Sequence, residues 1–278
     1  MPTLSTGRLL LWEANGMPMT PAGIHYEATG SGFPVVLLHG VLLDGSMWAA
    51  QVTAWSPRYR CLTVDRRGHG RSAPIGEIAD EVADLLSVLD DAGVERAHLV
   101  GLSLGGHDAL RFAGCHPERV ASLTLAGAWL PVPAMTWTPP ARLARTEGPE
   151  AGRRAFLADP LLAPALAIPE VREALTAMVE RNDLGIWTRR TRPPEPAPPA
   201  AADLAPQVRV PTLVLVGERD LPPFHAVAAW LQATIPGAAG RPVAVVPRAG
   251  HMAAMEQPEA FSALVEGFWR SADLSRVR

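Results

Sequence analysis

Three side chains far apart in the chain have the types needed to turn a hydroxyl into a nucleophile. Ser103 stands in Gly101-Leu102-Ser103-Leu104-Gly105. A serine hydroxyl is weak at neutral pH. It needs a base within hydrogen-bond reach, and the base needs a third group to orient it. His251, in Ala249-Gly250-His251-Met252, is the candidate base, and Asp220, in Gly217-Glu218-Arg219-Asp220, is the candidate acid. In this arrangement His251 takes the proton of Ser103 during attack on a carbonyl and returns it to the leaving group. Asp220 sets the imidazole tautomer. The oxyanion formed by that attack needs preplaced N–H donors. The sequence offers the amide of Leu104, next to the serine, and that of Val41 in His39-Gly40-Val41-Leu42. Structural roles compete with these assignments. Ser103 also suits a glycine-rich surface turn, and Asp220 also suits the N-cap of a helix near 224, with Glu218 as the alternative acid.

Each candidate sits where an apolar run ends. Ala97–Val100 precedes the serine, and a helix-like stretch from Gly106 to Cys115 follows it. Glycines two residues either side of Ser103 remove the Cβ atoms that block a sharp strand-to-helix turn. Thr212–Val216 precedes Asp220, Val243–Val246 precedes His251, and Val35–Leu38 precedes His39. Further strands are expected at Ile24–Glu27, Cys61–Val64 and Val120–Leu125, and Gly30-Ser31-Gly32 reads as a hairpin between the first two strands. Helices are expected from near Ser46, from about Glu77 (with Ile78, Val82, Leu85, Leu86 and Leu89 as its apolar stripe), over Phe224–Ile235 and over Pro258–Trp269. Strand–helix alternation with continuous apolar strands implies a mostly parallel α/β sheet of about eight strands, covered by helices on both faces. Chemistry in such sheets gathers at the carboxyl ends of the strands.

Residues 129–205 interrupt the alternation. They hold Trp129, Trp137 and Trp187 and an amphipathic helix near 169–181, and proline-rich runs at 131–140 and 193–206 bracket them. Runs of that kind exclude ordinary helix and central strand. The expected division is a core of 1–128 and 206–278 with an insertion at 129–205. Leu42 and the three tryptophans are candidate pocket residues, although aromatic side chains serve equally well to bury an insertion on a core. Residues 1–18 have no clear partner in this scheme.

The 278-residue chain carries a formal net charge of −3 and a pI near 6.2. Nothing in this balance favours nucleic acid as a partner. No run approaches the ~20 apolar residues of a membrane span, and the two cysteines, Cys61 and Cys115, are too few for a disulfide framework. A soluble cytoplasmic protein acting on a small molecule is expected. No cofactor is expected, and no cysteine, histidine or carboxylate cluster has metal-ligand spacing. Asp65-Arg66-Arg67-Gly68-His69-Gly70 lacks the phosphate-loop lysine and is read as a structural turn. His39 is expected to brace the oxyanion loop. His107, one helical turn past Ser103, is either a pocket residue or a packed helix histidine.

From about residue 20 the chain resembles a serine hydrolase of the α/β-hydrolase superfamily. His39-Gly40-Val41-Leu42-Leu43-Asp44-Gly45-Ser46-Met47-Trp48 and Asp65-Arg66-Arg67-Gly68-His69-Gly70-Arg71-Ser72 are similar to motifs of bacterial aryl esterases and cofactor-free haloperoxidases. Gly217-Glu218-Arg219-Asp220-Leu221-Pro222 and Gly250-His251-Met252 resemble 3-oxoadipate enol-lactonases and carbon–carbon bond hydrolases. The order Ser103, Asp220, His251 is the superfamily's order, and residues 129–205 match the position of its variable cap. Leu102 departs from the histidine that many members place before the nucleophile, which affects subfamily alone. The resemblance implies cleavage of a carboxylic ester or lactone through an acyl-serine. Carbon–carbon hydrolysis, enol-lactone hydrolysis and perhydrolysis use the same three residues, and a ligand-binding protein with a silent triad is the non-enzymatic alternative.

Overall fold

Continuous apolar runs become the strands of one sheet. The computed structural model describes residues 19–131, 138–195 and 199–271. Seven strands appear among them: β1 (Tyr26–Thr29), β2 (Phe33–Leu38), β3 (Tyr59–Val64), β4 (Ala97–Leu102), β5 (Val120–Ala126), β6 (Thr212–Gly217) and β7 (Ala244–Val246). Their spatial order is β1-β3-β2-β4-β5-β6-β7, and every pair is parallel except β1 with β3. β4, β5 and β6 are buried along their whole length, as strands covered on both faces must be. Alternate side chains feed two cores: Val36 and Leu38 join one cluster, Val35 and Leu37 the other.

Helices fill the crossovers. They are α1 (Ala49–Trp55), α2 (Glu81–Asp91) and α3 (Leu104–Cys115), then α4 (Thr138–Thr146), α5 (Pro149–Leu157), α6 (Ala163–Leu166), α7 (Pro169–Arg181), α8 (Gly185–Thr188) and α9 (Ala201–Leu204) between β5 and β6. α10 (Pro222–Thr234) follows β6, and α11 (Ala253–Glu256) and α12 (Pro258–Ser271) follow β7. The segment between β5 and β6 shares a core with the sheet: Phe156, Leu162, Leu175, Met178 and Trp187 belong to the same buried cluster as Leu37, Trp48 and Leu102.

Two expectations are corrected. Gly30-Ser31-Gly32 does not close a hairpin between β1 and β2, because β3 lies between them. The glycines serve a close approach instead. Gly30 has φ 85°, and a Cβ there would stand 2.3 Å from the carbonyl oxygen of Ser56 and 2.4 Å from that of Tyr59, where the chain enters β3. The helix expected from Glu77 begins at Glu81. Asp80 accepts hydrogen bonds from the amides of Val82 and Ala83 and so fixes the N-terminus. Ile78 therefore lies outside the apolar stripe, exposed and bridged to Arg192.

Asp65, directly after β3, ties together the loops beneath the strand ends. Its carboxylate accepts from the amide of Gly45 at 2.8 Å, the amide of Arg71 at 2.9 Å and the His25 ring at 3.0 Å. Burial pushes the Asp65 carboxyl up, but these donors outweigh it and hold the group down at about 2. A carboxyl whose pKa falls on folding stabilises the fold above its unfolded value and loses that contribution as pH drops towards its folded value.

Two outcomes are expected. Asp65→Asn costs about 2 kcal/mol of unfolding free energy at neutral pH, and in urea titrations the gap from the parent closes as pH falls from about 4 towards 2. Gly93 also has positive φ but nothing within 4 Å of a built Cβ. Gly93→Ala therefore costs about 1–2 kcal/mol for the left-handed backbone alone, while Gly30→Ala costs clearly more because two carbonyl oxygens must move.

Candidate active site

The sequence forces Ser103 into the space above the sheet. Ser103 has φ 54° and ψ −117°, a backbone conformation that costs a non-glycine residue roughly 1–3 kcal/mol. Its amide donates to Ala126 O, and its carbonyl accepts from the amides of Gly106, His107 and Trp129. The two flanking glycines permit the turn by backbone contact. A Cβ on Gly101 would lie 2.3 Å from Gly105 O, and one on Gly105 would lie 2.3 Å from Leu38 O. The helix that follows is thereby pressed against β2 and β4.

Asp220 and His251 meet behind the serine. The His251 Nδ1–H donates to Asp220 Oδ2 over 2.9 Å, with the two side chains 3% and 0% exposed. The other Asp220 oxygen accepts from Leu221 N at 2.8 Å. Leu221, not Asp220, is the N-cap of α10, and Glu218 turns away to accept from Arg248 N. Both competing roles for these acids are therefore absent. With Nδ1–H committed, His251 Nε2 is left as an acceptor. That nitrogen and Ser103 Oγ are both buried without a hydrogen-bond partner. The two residues line one small cavity, although no hydrogen bond joins them in this structure. Such bonds are often long in unliganded sites and tighten with substrate.

Sequence reasoning missed the clamp on the histidine loop. Glu256, buried on α11, accepts from Gly250 N at 2.6 Å and from Met252 N at 3.0 Å, so one carboxylate grips the amides on both sides of His251. Burial pushes the Glu256 carboxyl up against the opposing pull of those amides. The available signal was an acid five residues after the histidine, within the first turn that follows the loop.

His39 braces the loop after β2 that carries Val41. Its Nδ1–H donates to Gly40 O at 2.7 Å, and its Nε2 accepts from Arg66 N at 2.9 Å. Burial first, then the Arg66 guanidinium, holds the ring down at about 4, so it is neutral and keeps this tautomer near neutral pH. Arg66 in turn bonds Asp108 on α3 at 2.5 Å, linking the loop after β2 to the helix that follows the serine. Among the described residues, no acceptor faces the amides of Val41 or Leu104. Leu104 N opens a helix, where it has no intrahelical partner.

The candidate pocket residues are placed less directly. Leu42 is fully buried with φ 58° and does not line the serine cavity. Trp129 packs beside His107, with ring centroids 5.5 Å apart. Trp187 stands edge-on to Phe156 at 5.7 Å, one layer behind the cavity wall. Trp137 lies outside the described residues. The wall itself includes Phe156, Leu161 and Leu162, which the sequence did not single out. His107 lines a second, larger cavity together with Leu104. Folding also brings Glu81 near His107 and Asp108, within 4.8 Å of one another, a grouping that sequence spacing did not show. Arg66 and Arg111 already pair with its carboxylates, so this donor set suits ion pairs better than a cation.

The chain matches the family described as the alpha/beta hydrolase family over residues 35–264. It is similar to a carboxylesterase of Bacillus subtilis, YbfK, at 31% identity over 81% of this chain and 76% of the relative. It is also similar to 3-oxoadipate enol-lactonase 1 of Acinetobacter baylyi, at 28% identity over 98% of this chain and 97% of the relative. Among solved structures, a thermophilic esterase from Thermogutta terrifontis superposes with TM-score 0.74 at 30% identity, covering 91% of this chain and 97% of that one.

Glu256→Gln keeps the size of the clamp but turns an NH2 towards one of the two amides. It is expected to lower the unfolding free energy by about 2 kcal/mol. Hydrogen exchange at the Gly250 and Met252 amides should accelerate while the strand amides of β4 and β5 stay protected.

Proposed function

The chain belongs to the alpha/beta hydrolase family, and we propose that it cleaves a carboxylic ester or lactone through an acyl-serine intermediate. The supporting observation is a pair of buried, unpartnered atoms, Ser103 Oγ and His251 Nε2, on the wall of one cavity. Behind the second of them stands the Asp220 carboxylate. A buried polar atom without a partner is costly to leave so, and a substrate that uses both atoms accounts for that cost.

In this reading His251 Nε2 accepts the hydroxyl proton as Ser103 Oγ attacks the carbonyl carbon. Asp220 stabilises the imidazolium. The amides of Val41 and Leu104 receive the oxyanion, each donor contributing about 3–4 kcal/mol to the transition state. Collapse of the tetrahedral intermediate breaks the bond to the leaving oxygen, which takes the proton from His251. Water then repeats the sequence on the acyl-serine, and the acid departs. No metal or cofactor takes part in these steps.

We read residues 1–128 and 206–278 as the catalytic core and 129–205 as a cap over it. Among the described residues no helix is long and apolar enough to cross a membrane. The free thiols of Cys61 and Cys115 suit a reducing compartment, and the cytoplasm is our assignment. Burial pushes the Cys61 thiol up to about 12, which leaves it unreactive.

Hydrolysis of p-nitrophenyl acetate tests the reading. Ser103→Ala is expected to lower kcat by about 10⁴-fold or more, and a fluorophosphonate is expected to label Ser103 in the parent alone. Equal turnover by parent and variant, with no adduct, overturns it.

A further inference from the structure

The space around the serine also bears on which acyl group is accepted. We propose that the substrate carries a short, uncharged acyl group, and that Phe156, Leu161 and Leu162 impose this limit. The inference rests on the serine-hydrolase reading above.

Size is the first argument. The cavity that Ser103 and His251 line has a volume of about 10 Å³, room for roughly one water. Its other walls are Val41, Leu43, Phe156, Leu161, Leu162 and Met252 among apolar neighbours. Phe156, Leu161 and Leu162 are 2%, 4% and 1% exposed, so they sit in packed surroundings and do not yield cheaply. Every methylene of an acyl chain must displace part of that wall. The smallest acyl groups displace least.

Charge is the second argument. Among the described residues no cationic side chain lines the serine cavity. Two arginines, Arg66 and Arg67, border the larger cavity that Leu104 also lines, which has a volume of about 210 Å³. Arg66 there is bound to Asp108, and Arg67 to both oxygens of Asp84. Arg111, behind them, pairs with Glu81. Asp80, Glu81, Asp84 and Asp108 all face that cavity. A substrate carboxylate entering the serine cavity loses its water and meets no described cation. In the larger cavity it meets four carboxylates against two arginines already paired with carboxylates, Arg66 keeping only its Nη1 unpartnered. Both are heavily unfavourable. An ester or lactone whose acid part bears a second carboxylate is therefore excluded on the side of Ser103 and repelled on the side of Leu104.

Three esters with one leaving group separate these effects: p-nitrophenyl acetate, p-nitrophenyl hexanoate and mono-p-nitrophenyl adipate. The hexanoyl and adipoyl chains have the same number of carbons, so their ratio isolates the charge. In kcat/KM, acetate is expected to exceed hexanoate by about tenfold or more, and hexanoate to exceed the adipate ester by about 100-fold or more. Leu161→Ala removes three carbons from the wall and is expected to raise the hexanoate-to-acetate ratio by about tenfold while the adipate deficit persists. Phe156→Leu, a milder change, is expected to move the ratio the same way. An adipate ester cleaved as fast as hexanoate, or a parent enzyme that prefers hexanoate to acetate, overturns the proposal. If the parent cleaves none of the three faster than Ser103→Ala does, the serine-hydrolase reading itself has failed, a result distinct from a wrong selectivity.

Discussion

The site depends on backbone lying against backbone at the end of β4. Gly101 and Gly105 let α3 approach β2 and β4 at distances that no Cβ tolerates. That approach puts Ser103 at positive φ, and hydrogen bonds at both its amide and its carbonyl hold it there. The same contact starts α3 directly after the serine, so the amide of Leu104 opens the helix without an intrahelical partner. The strain at one residue is thus sustained by the burial of two strands and a helix, which supply far more than the few kcal/mol it costs.

The histidine is held by a different device. Its loop is short, leaves β7 at the edge of the sheet, and has no strand pairing of its own. Two carboxylates do the holding: Glu256 grips the amides either side of His251, and Asp220 holds Nδ1. Gly217 and Gly250 allow the two loops to meet, since a Cβ on Gly217 would lie 2.0 Å from Gly250 O. The acid therefore sits at the end of β6 and the base beyond β7 because adjacent parallel strands deliver their following loops to the same edge. A third glycine, Gly127 after β5, leaves the room that the His251 and Asp220 side chains occupy, since a Cβ there would lie 3.2 Å from both.

Much of this was legible in the chain because each signal was local. Apolar runs mark β2 to β7, and glycines flank the serine. The loops that end β4, β6 and β7 carried Ser103, Asp220 and His251. What was not legible required knowledge of which strands neighbour one another. The turn at Gly30 looks like a hairpin until β3 is seen between β1 and β2. The role of Asp65 needs Gly45, Arg71 and His25 in one place. The helix start at Asp80 was readable from its cap, but the apolar Ile78 outweighed it. The cavity wall is hidden in the sequence for a related reason. Tryptophan is conspicuous, so Trp129, Trp137 and Trp187 drew attention, whereas Phe156, Leu161 and Leu162 look like ordinary core residues. Trp187 supports the wall from behind, and that relationship exists in three dimensions only.

Enclosure of the serine works in two directions. Ser103 and His251 are 2% and 3% exposed, and in such low-polarity surroundings the Asp220–His251 interaction and any oxyanion donors act with little screening. The helices between β5 and β6 close this space with chiefly apolar contacts. The ion pair between Arg181 and Asp44 that also spans this boundary involves an arginine side chain 54% exposed, and exposed pairs contribute about 0–1 kcal/mol. This boundary is therefore held chiefly by hydrophobic contact, with Phe156, Leu161 and Leu162 facing the serine. That force is insensitive to ionic strength and strengthens with the apolar area brought together. On the short-acyl reading proposed above, a small apolar group exchanges one such contact for another and keeps water out. A charged group leaves the boundary wet and the donors screened.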